Sequence, residues 1–375
     1  MDILQGIKVV ELGKYVATPI AGRLLSEWGA QVTKVEIGSG DPMRKVGKLV
    51  GMPTEGPNNP AFDIMNGYKK IISINTRTEE GIQELQDTIL EADIFITNYR
   101  QKALDGLLID YESIRKIKPS MVYGQVLGFG KKGAESDKPA YDFTAYYARG
   151  GISGTLHDKD SPPLNAVQSY GDVQSANYLL SGILGGYIKK LNTGIGSHIA
   201  VGLYHTALFN MGYLIAASQF GFKYPISRFE NPSPLQGSYR TKDDRWIQLA
   251  IALHQESFDH FCNVVGHPEL IANEEFKLYD RVSNNPSTFV KALDRIFLER
   301  DADEWIDLFE DADLPCEKLM YWEEILNDEQ ALDNRYIGEY YYGDKLVKMI
   351  HSPVVFNERV CKLQSSLKTQ CESKG

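Results

Sequence analysis

Short apolar runs alternate with amphipathic stretches along the first half of the chain. The runs predict β-strands, and the stretches, in which apolar residues recur at steps of three and four, predict helices. The predicted strands are 7–12, 31–36, 71–74, 93–97, 121–127 and 196–201. The helices predicted between or after them are 18–28, 78–92, 111–118 and 203–218. Strand–helix–strand repeats at this spacing form βαβ units, so we expect a parallel sheet and an α/β fold.

Helix starts can be predicted at two threonines in this half of the chain. Thr18 stands before Pro19, which suits a cap followed by proline at the first helical position. Thr78 stands before two glutamates, whose charge the helix dipole favours. We therefore predict that both threonines are N-caps.

The longest helical pattern runs from Val173 to about Lys190, directly after a short polar turn that carries Asp172. The apolar stripe of this helix consists of Val173, Ala176, Leu180, Ile183 and Tyr187. An aspartate at this point is predicted to be the N-cap, because its side chain accepts hydrogen bonds from free N–H groups and the macrodipole favours its charge. The local sequence alone favours capping over chemistry.

The pattern changes after residue 219, where a polar segment leads to a second, smaller unit. Residues 231–234 (Asn-Pro-Ser-Pro) mark a linker and binding loop. In this unit a hairpin is predicted over 237–249, and helices over 255–265, 286–298 and 302–312, while a further helix over 327–333 leads away from it. We therefore predict a large domain over 1–219, completed by 326–375, and a smaller α+β domain over 220–325.

Composition narrows the class of protein. The 375 residues, 43% of them hydrophobic, can bury a large core, and their number suggests two domains. No apolar run reaches the roughly 18 residues of a membrane helix, and the N-terminus is not built like a signal peptide. The formal net charge of −10 argues against nucleic-acid binding. Four cysteines without a C-x-x-C pair predict reduced thiols and a cytoplasmic protein: Cys262, Cys316, Cys361 and Cys371.

Three kinds of site are disfavoured because the sequence motifs that they need are absent or incomplete. The turn 13–17 has one glycine and lacks G-x-G-x-x-G, so Glu36 after the next strand is weak support for an NAD-dependent dehydrogenase. Residues 151–155 resemble a serine nucleophile elbow, but the second glycine falls one place early. A metal site is disfavoured because the candidate ligands are not spaced as in any known zinc pattern. These candidates are His254, His260, Cys262 and His267.

Cations follow several of the predicted strands. Ligands of parallel α/β sheets bind beyond the carboxyl ends of the strands. The cations near those ends are Lys14, Arg44, Arg77, Arg100, Lys102, Lys131 and Lys132. Each alone is typical of a solvated rim, but their shared placement indicates a polyanionic ligand.

Segments spread over nearly the whole chain resemble the class III CoA-transferases, also called the CaiB/BaiF family. They are 4–12, 29–36, 40–44, 66–70, 92–93, Asn98, 171–172, 303–305, 314–315 and 352–353. Within the family, segments 142–156 and 224–232 are most similar to the aryl- and 2-hydroxyacyl-CoA transferases of amino-acid fermentation. The resemblance implies a Rossmann-like large domain, an interlocked homodimer, acyl-CoA and a carboxylic acid as substrates, and no permanently bound cofactor.

The resemblance also implies roles for individual residues. Asp172 would be the nucleophile, which forms an aspartyl anhydride and then an aspartyl-CoA thioester, and the helix N-terminus would help to keep it ionised. The implied CoA contacts are Val16, Ala17, Ile74, Arg77, Asn98, Tyr99 and Arg100. Tyr141 and Asp142 match the segment that packs near the nucleophile, and they are also expected to contact CoA.

The chain departs from the family pattern at several places. An α-methylacyl-CoA racemase, the alternative function, would need a Gly-His-Asp motif, but Tyr141 stands where its histidine base would be. Gly106 replaces a frequent arginine, and the segment after Phe356 is altered. Oxyanion donors are sought in 150–151 and 232–237. The aromatic residues that could form either an acyl pocket or core are Tyr141, Phe143, Tyr146 and Tyr147.

Overall fold

The chain divides into two units, each with its own core. The computed structural model describes residues 2–252, 254–276, 282 and 284–365. The larger unit contains residues up to 153, 165–216 and those from 328 onward, and the smaller contains 154–164 and 217–327. Residues 154–164, which we placed in the large domain, therefore group with the smaller unit. The end of the predicted large domain, 366–375, and Cys371 lie outside the described residues.

Six parallel strands form the sheet of the larger unit. They are β1 (Lys8–Leu12), β2 (Gln31–Ile37), β3 (Lys70–Ile74), β4 (Ile94–Thr97), β5 (Val122–Leu127) and β6 (Ser197–Gly202). Their order in the sheet is β3-β2-β1-β4-β5-β6. This is the doubly wound order, in which the direction of winding reverses between β1 and β4. The predicted α/β fold with a Rossmann-like parallel sheet is confirmed.

Helices connect and follow these strands. They are α1 (Ala17–Glu27), α2 (Met43–Val46), α3 (Pro60–Asn66), α4 (Glu79–Leu90), α5 (Gln101–Gly106), α6 (Tyr111–Ile117), α7 (Ile152–Thr155), α8 (Tyr170–Thr193), α9 (Leu203–Asn210) and α10 (Gly212–Ser218). Thr78 caps α4 as predicted, since its hydroxyl accepts the N–H of Gly81 at 3.1 Å. The prediction for Thr18 is wrong, because α1 already begins at Ala17 and Thr18 lies buried inside it.

The smaller unit has a three-stranded antiparallel sheet of β7 (Ser238–Arg240), β8 (Trp246–Leu249) and β9 (Cys316–Lys318). β7 and β8 are the predicted hairpin. Its helices are α11 (Gln255–Val264), α12 (Glu269–Ala272), α13 (Pro286–Ile296), α14 (Ala302–Asp311) and α15 (Trp322–Ile325). Its core is rich in aromatic rings, with Phe258, Phe261, Phe297 and Trp305 fully buried.

The chain returns to the larger unit through α16 (Glu329–Asp333) and an antiparallel hairpin of β10 (Ile337–Tyr342) and β11 (Lys345–Ile350). The hairpin was not predicted. The Tyr342 hydroxyl donates to Asp63 Oδ2 at 3.1 Å, which connects the hairpin to α3. No helix in the described part of the chain is long and apolar enough to cross a membrane.

Buried charges tie β1 and β2 to the segments that follow β2 and precede β3. Lys34 Nζ lies 2.9 Å from both Glu11 Oε1 and Asp41 Oδ2, and Lys69 Nζ lies 2.6 Å from Glu11 Oε2. All four side chains are buried. Burial alone would lower the pKa of Lys34, but Glu11 and Asp41 more than offset it, so the net pKa is raised. For Lys69 burial prevails and lowers the pKa to about 7. We call Glu11, Lys34, Asp41 and Lys69 the charge network.

Candidate active site

A cavity of about 340 Å³ lies beyond the carboxyl ends of β1, β4 and β5. This is the edge of the sheet at which the strand order reverses, where such folds bind their ligands. The residues that line it include Lys14, Tyr15, Val16, Ala17, Asn98, Tyr99, Arg100, Val126, Gly128, Lys138, Ala140, Tyr141, Asp172 and Leu203. Its size is typical of a small-molecule site.

Most of the predicted site residues meet at this cavity. Those in its lining are Val16, Ala17, Asn98, Tyr99, Arg100, Tyr141 and Asp172. Ile74 and Arg77 are not in the lining: Ile74 is buried in the core at the end of β3, and Arg77 is exposed in the following turn. The reason is topological, because β2 separates β3 from β1 in the sheet. Contact of these two residues with CoA stays a prediction.

Asn98 fixes the relative position of the turns after β1 and β4. Its Oδ1 accepts the N–H of Lys14 at 3.0 Å, and its Nδ2 donates to the carbonyl of Lys14 at 2.7 Å. Both polar atoms of the amide are therefore used within the protein. Asn98 lines the cavity, but its amide group serves to shape it.

Positive charge surrounds part of the cavity. The Lys14 ammonium lies 5.1 Å from the centre of the Tyr99 ring, and Arg100 donates to the carbonyl of Asp137 at 3.2 Å. Lys138, which the sequence patterns did not single out, also lines the cavity. Other predicted cations lie elsewhere, such as Arg44, which pairs with Glu36 at 3.0 Å. The local field suits phosphate groups despite the negative net charge.

Asp172 is the third residue of α8, which begins at Tyr170 after Ser169. The prediction that it is the N-cap is therefore wrong. Ser169 occupies the cap position with a left-handed backbone (φ +72°) and makes no side-chain capping bond. Burial, and then the charge of Asp142, raise the pKa of Asp172 to about 7. Asp172 still lies in the first turn of α8, where the macrodipole favours its charge, but burial and Asp142 favour the protonated form and raise the pKa overall.

Asp142 is buried beside the cavity and begins a π-helical turn, Asp142–Ala148. The i→i+5 bond from the Arg149 N–H to the Thr144 carbonyl, at 3.0 Å, identifies this turn. Such turns are rare and occur frequently at functional sites. Burial raises the pKa of Asp142 to about 6, although the N–H groups of Gly171 and Ser169 oppose the rise.

Gly171 allows the segment around Asp142 and the start of α8 to approach each other. A Cβ atom at this position would lie 2.4 Å from Asp142 Oδ1 and 2.2 Å from the Tyr146 ring. Only glycine leaves room for the buried carboxylate. Because Gly171 has no side chain, Asp142 lies close enough for its charge to raise the pKa of Asp172.

The aromatic residues divide between core and surface. Tyr146 and Tyr147 are buried and pack in the main core of the larger unit. Tyr141 and Phe143 are 56% and 47% exposed, and of these two only Tyr141 lines the cavity. Spacing along the sequence could not separate these roles, because the π-helical turn changes which residues share a face.

The predicted oxyanion donors are not part of the cavity lining. Gly150 is tightly packed, since a Cβ there would lie 2.1 Å from the Tyr146 carbonyl oxygen. Neither Gly150 nor Gly151 reaches the lining, and 232–237 belong to the smaller unit. Gly128 lies in the lining and packs against Ala140. The position of Gly128 directly after β5 could have identified it from the sequence as a residue of the cavity lining.

The histidines and cysteines of the smaller unit have structural roles. The His254 ring accepts the N–H of Ser257 at 3.3 Å, His260 lies 3.1 Å from the Ala312 carbonyl, and Cys262 is buried. No group of three potential ligands that could hold a metal occurs among the residues the structure describes. Cys262, Cys316 and Cys361 are free thiols.

The arrangement can support nucleophilic chemistry on an anionic ligand. A carboxylate with a raised pKa is a better nucleophile, once ionised, than an ordinary aspartate. Asp172 lies in the same cavity as Lys14 and Arg100, whose charges suit the phosphates of a long substrate. The site can thus bring an electrophilic carbonyl to Asp172.

Comparison with known proteins identifies the family that the chain matches. Residues 4–366 match CoA-transferase family III. The chain is 39% identical over 363 residues to (R)-2-hydroxy-4-methylpentanoate CoA-transferase of Clostridioides difficile, covering 96% of this chain and 90% of the relative. It is 36% identical over 363 residues to cinnamoyl-CoA:phenyllactate CoA-transferase of Clostridium sporogenes, covering 95% and 88%. A CAIB/BAIF family protein from Brucella suis shares the fold, with a TM-score of 0.80, 24% identity, and coverage of 99% and 98%.

Proposed function

Since the chain belongs to CoA-transferase family III and is a CoA-transferase, we propose that it uses Asp172 to move CoA from a 2-hydroxyacyl- or aryl-acryloyl-CoA to a free carboxylic acid. The substrate class follows the names of the two clostridial relatives. The observation that supports the role of Asp172 is its position in the cavity, where burial and Asp142 raise its pKa.

The reaction proceeds by covalent catalysis. A carboxylate oxygen of Asp172 attacks the thioester carbonyl, the C–S bond breaks, and CoA leaves as a thiolate. The thiolate then attacks the aspartyl carbonyl of the resulting anhydride, which releases the first acid as a carboxylate and leaves an aspartyl-CoA thioester. The acceptor carboxylate attacks this thioester, the C–S bond breaks, and a second aspartyl anhydride forms with release of CoA thiolate. The thiolate then attacks the acyl carbonyl of the acceptor, which gives the new acyl-CoA and frees Asp172 as a carboxylate.

Residues of the cavity support these steps. Lys14 and Arg100 suit the phosphates of CoA, whereas Val126 and Leu203 supply apolar surface. Partial burial of Asp172 keeps water from the anhydride, which would otherwise hydrolyse.

We further propose that the enzyme acts as a homodimer in the cytoplasm and takes part in amino-acid fermentation. We propose that CoA is its substrate and that it has no permanently bound cofactor.

The alternative is an α-methylacyl-CoA racemase. Two neighbouring carboxyl groups with raised pKa values, Asp142 and Asp172, could exchange a proton with the α-carbon. Against it, Tyr141 occupies the place of the histidine base. Exchange of the α-proton in deuterated water without any acyl transfer would favour the racemase.

Trapping of the covalent intermediate tests the proposal. The protein is incubated with an acyl-CoA and then with hydroxylamine or borohydride, and the modified peptide is mapped by mass spectrometry. We expect the modification at Asp172 and none in Asp172→Asn. Transfer activity accompanied by modification of another residue, or by none, would contradict the assignment.

The pH dependence of kcat/KM is expected to show an acidic limb near pH 7. Asp172 must be ionised to attack, and its raised pKa means that lowering the pH through about 7 protonates it. Asp142→Asn removes the neighbouring negative charge, so the limb should move to lower pH. The wild type and Asp142→Asn are assayed with the same substrate. Any ionisation of the substrate therefore affects both pH profiles equally and does not contribute to the difference between them. A limb near pH 4 in the wild type, or no shift in the variant, would contradict the coupling.

A further inference from the structure

Tyr15, in the turn after β1, has an unfavourable backbone conformation. Its φ is +62°, in the left-handed region that large side chains rarely adopt. Its N–H donates to Asp41 Oδ1 at 3.0 Å, and Asp41 Oδ2 lies 2.9 Å from Lys34 Nζ. The charge network therefore holds Tyr15 in this conformation.

The conformation places the Tyr15 ring in the cavity, against Tyr141. The ring centres are 5.6 Å apart with an interplanar angle of 88°, and both residues belong to the lining. Tyr141 is 56% exposed, so much of its ring is free for contact with a ligand. Burial and a hydrogen bond with Tyr141 raise the pKa of the Tyr15 hydroxyl, which remains protonated.

The aromatic pair lines the same cavity as Asp172. Tyr141 directly precedes Asp142, whose charge acts on Asp172. The Lys14 ammonium instead lies over Tyr99, in the turn after β4. The acyl group must extend from the carbonyl that Asp172 attacks, whereas the phosphates of CoA need the cations. Tyr141 is the ring next in the chain to the reacting centre, and Tyr15 packs against it.

We propose that Tyr15 determines acyl specificity, forming with Tyr141 an edge-to-face clamp that favours a flat 3-aryl acyl group over a branched aliphatic one. This inference rests on the proposed function. Aromatic rings gain from edge-to-face or offset contact beyond the burial of their area. A branched aliphatic chain of similar size gains only the burial.

The test compares two acceptor acids, 2-hydroxy-3-phenylpropanoate and 2-hydroxy-4-methylpentanoate, with one acyl-CoA donor. The readout is the ratio of their kcat/KM values in the wild type, Tyr15→Leu and Tyr15→Phe. We expect the wild type to prefer the aryl acid and Tyr15→Leu to reduce the ratio about 5- to 10-fold, which lies within the range of one aromatic contact. Tyr15→Phe keeps the ring and should keep the ratio within about 2-fold.

Tyr141→Leu provides a second variant at an exposed side chain and should reduce the ratio in the same direction. It keeps the inference testable where Tyr15→Leu fails to fold. Equal losses for both acids in these variants would show contact with CoA or a structural role and overturn the inference, as would a wild-type preference for the branched acid. A wild type that transfers CoA to neither acid, and leaves no adduct on Asp172, would instead refute the proposed function.

Discussion

Asp172→Ala is expected to lower kcat for CoA transfer by about 10³-fold or more, because it removes the group that forms both covalent intermediates. The protein should still fold, since the side chain faces the cavity and makes no ion pair among the described residues. The measurement is steady-state transfer between an acyl-CoA and an acceptor acid, with circular dichroism as the check on folding. Retained transfer in a folded variant would refute the role of Asp172.

Asp172→Asn is the matched control, because it keeps the size of the side chain and removes its charge. The pKa of Asp172 is raised in the folded state, so ionisation destabilises the fold. The penalty is absent below the unfolded value near pH 4, grows as the pH rises, and is complete above pH 7. We expect Asp172→Asn to increase the free energy of unfolding by up to about 4 kcal/mol at pH 8, the equivalent of the difference between the two pKa values, and by less at pH 5. A lower free energy of unfolding at pH 8 would contradict the raised pKa.

The sheet could be predicted from the sequence because the pattern that identifies each strand lies within the strand itself. Each strand is a short apolar run, and the crossover rule then makes the strands parallel and places their carboxyl ends at one edge. The same rule predicts that Val16, Asn98 and Tyr99 lie near one another, and all three line the cavity. It could not exclude Ile74 and Arg77, because the distance of β3 from β1 depends on the order of strands in the sheet.

Features that depend on distant contacts were missed or misjudged. The position of Asp172 within α8 depends on the left-handed conformation of Ser169, which no local pattern indicates. Its raised pKa depends on Asp142, 30 residues earlier in the chain, and on the absence of a side chain at Gly171. The charge network likewise could not be predicted from the sequence, because charged residues are ordinarily expected at the surface.

Lys34→Met is expected to produce the largest loss of stability, about 3–5 kcal/mol. Lys34 Nζ neutralises Glu11 and Asp41 and donates to the Gly13 carbonyl at 2.8 Å, with no exposed surface. Its removal leaves buried carboxylates with less compensating charge, which is costly in a low dielectric. Thermal unfolding should show a Tm lower by roughly 10 °C, and the turn that contains Tyr15 should loosen as Asp41 loses its partner.

Two further variants separate the lost charge pairing from the lost side chain. Lys70→Met changes the exposed neighbour of Lys69 and should alter the free energy of unfolding by less than about 0.5 kcal/mol. Lys34→Met combined with Asp41→Asn should recover part of the loss, because the amide carries no charge and its oxygen can still accept the N–H of Tyr15. If Lys34→Met cost no more than Lys70→Met, the ion pairs of Lys34 would contribute nothing to stability. Recovery in the double variant would show instead that Asp41 needs Lys34 as its counter-charge.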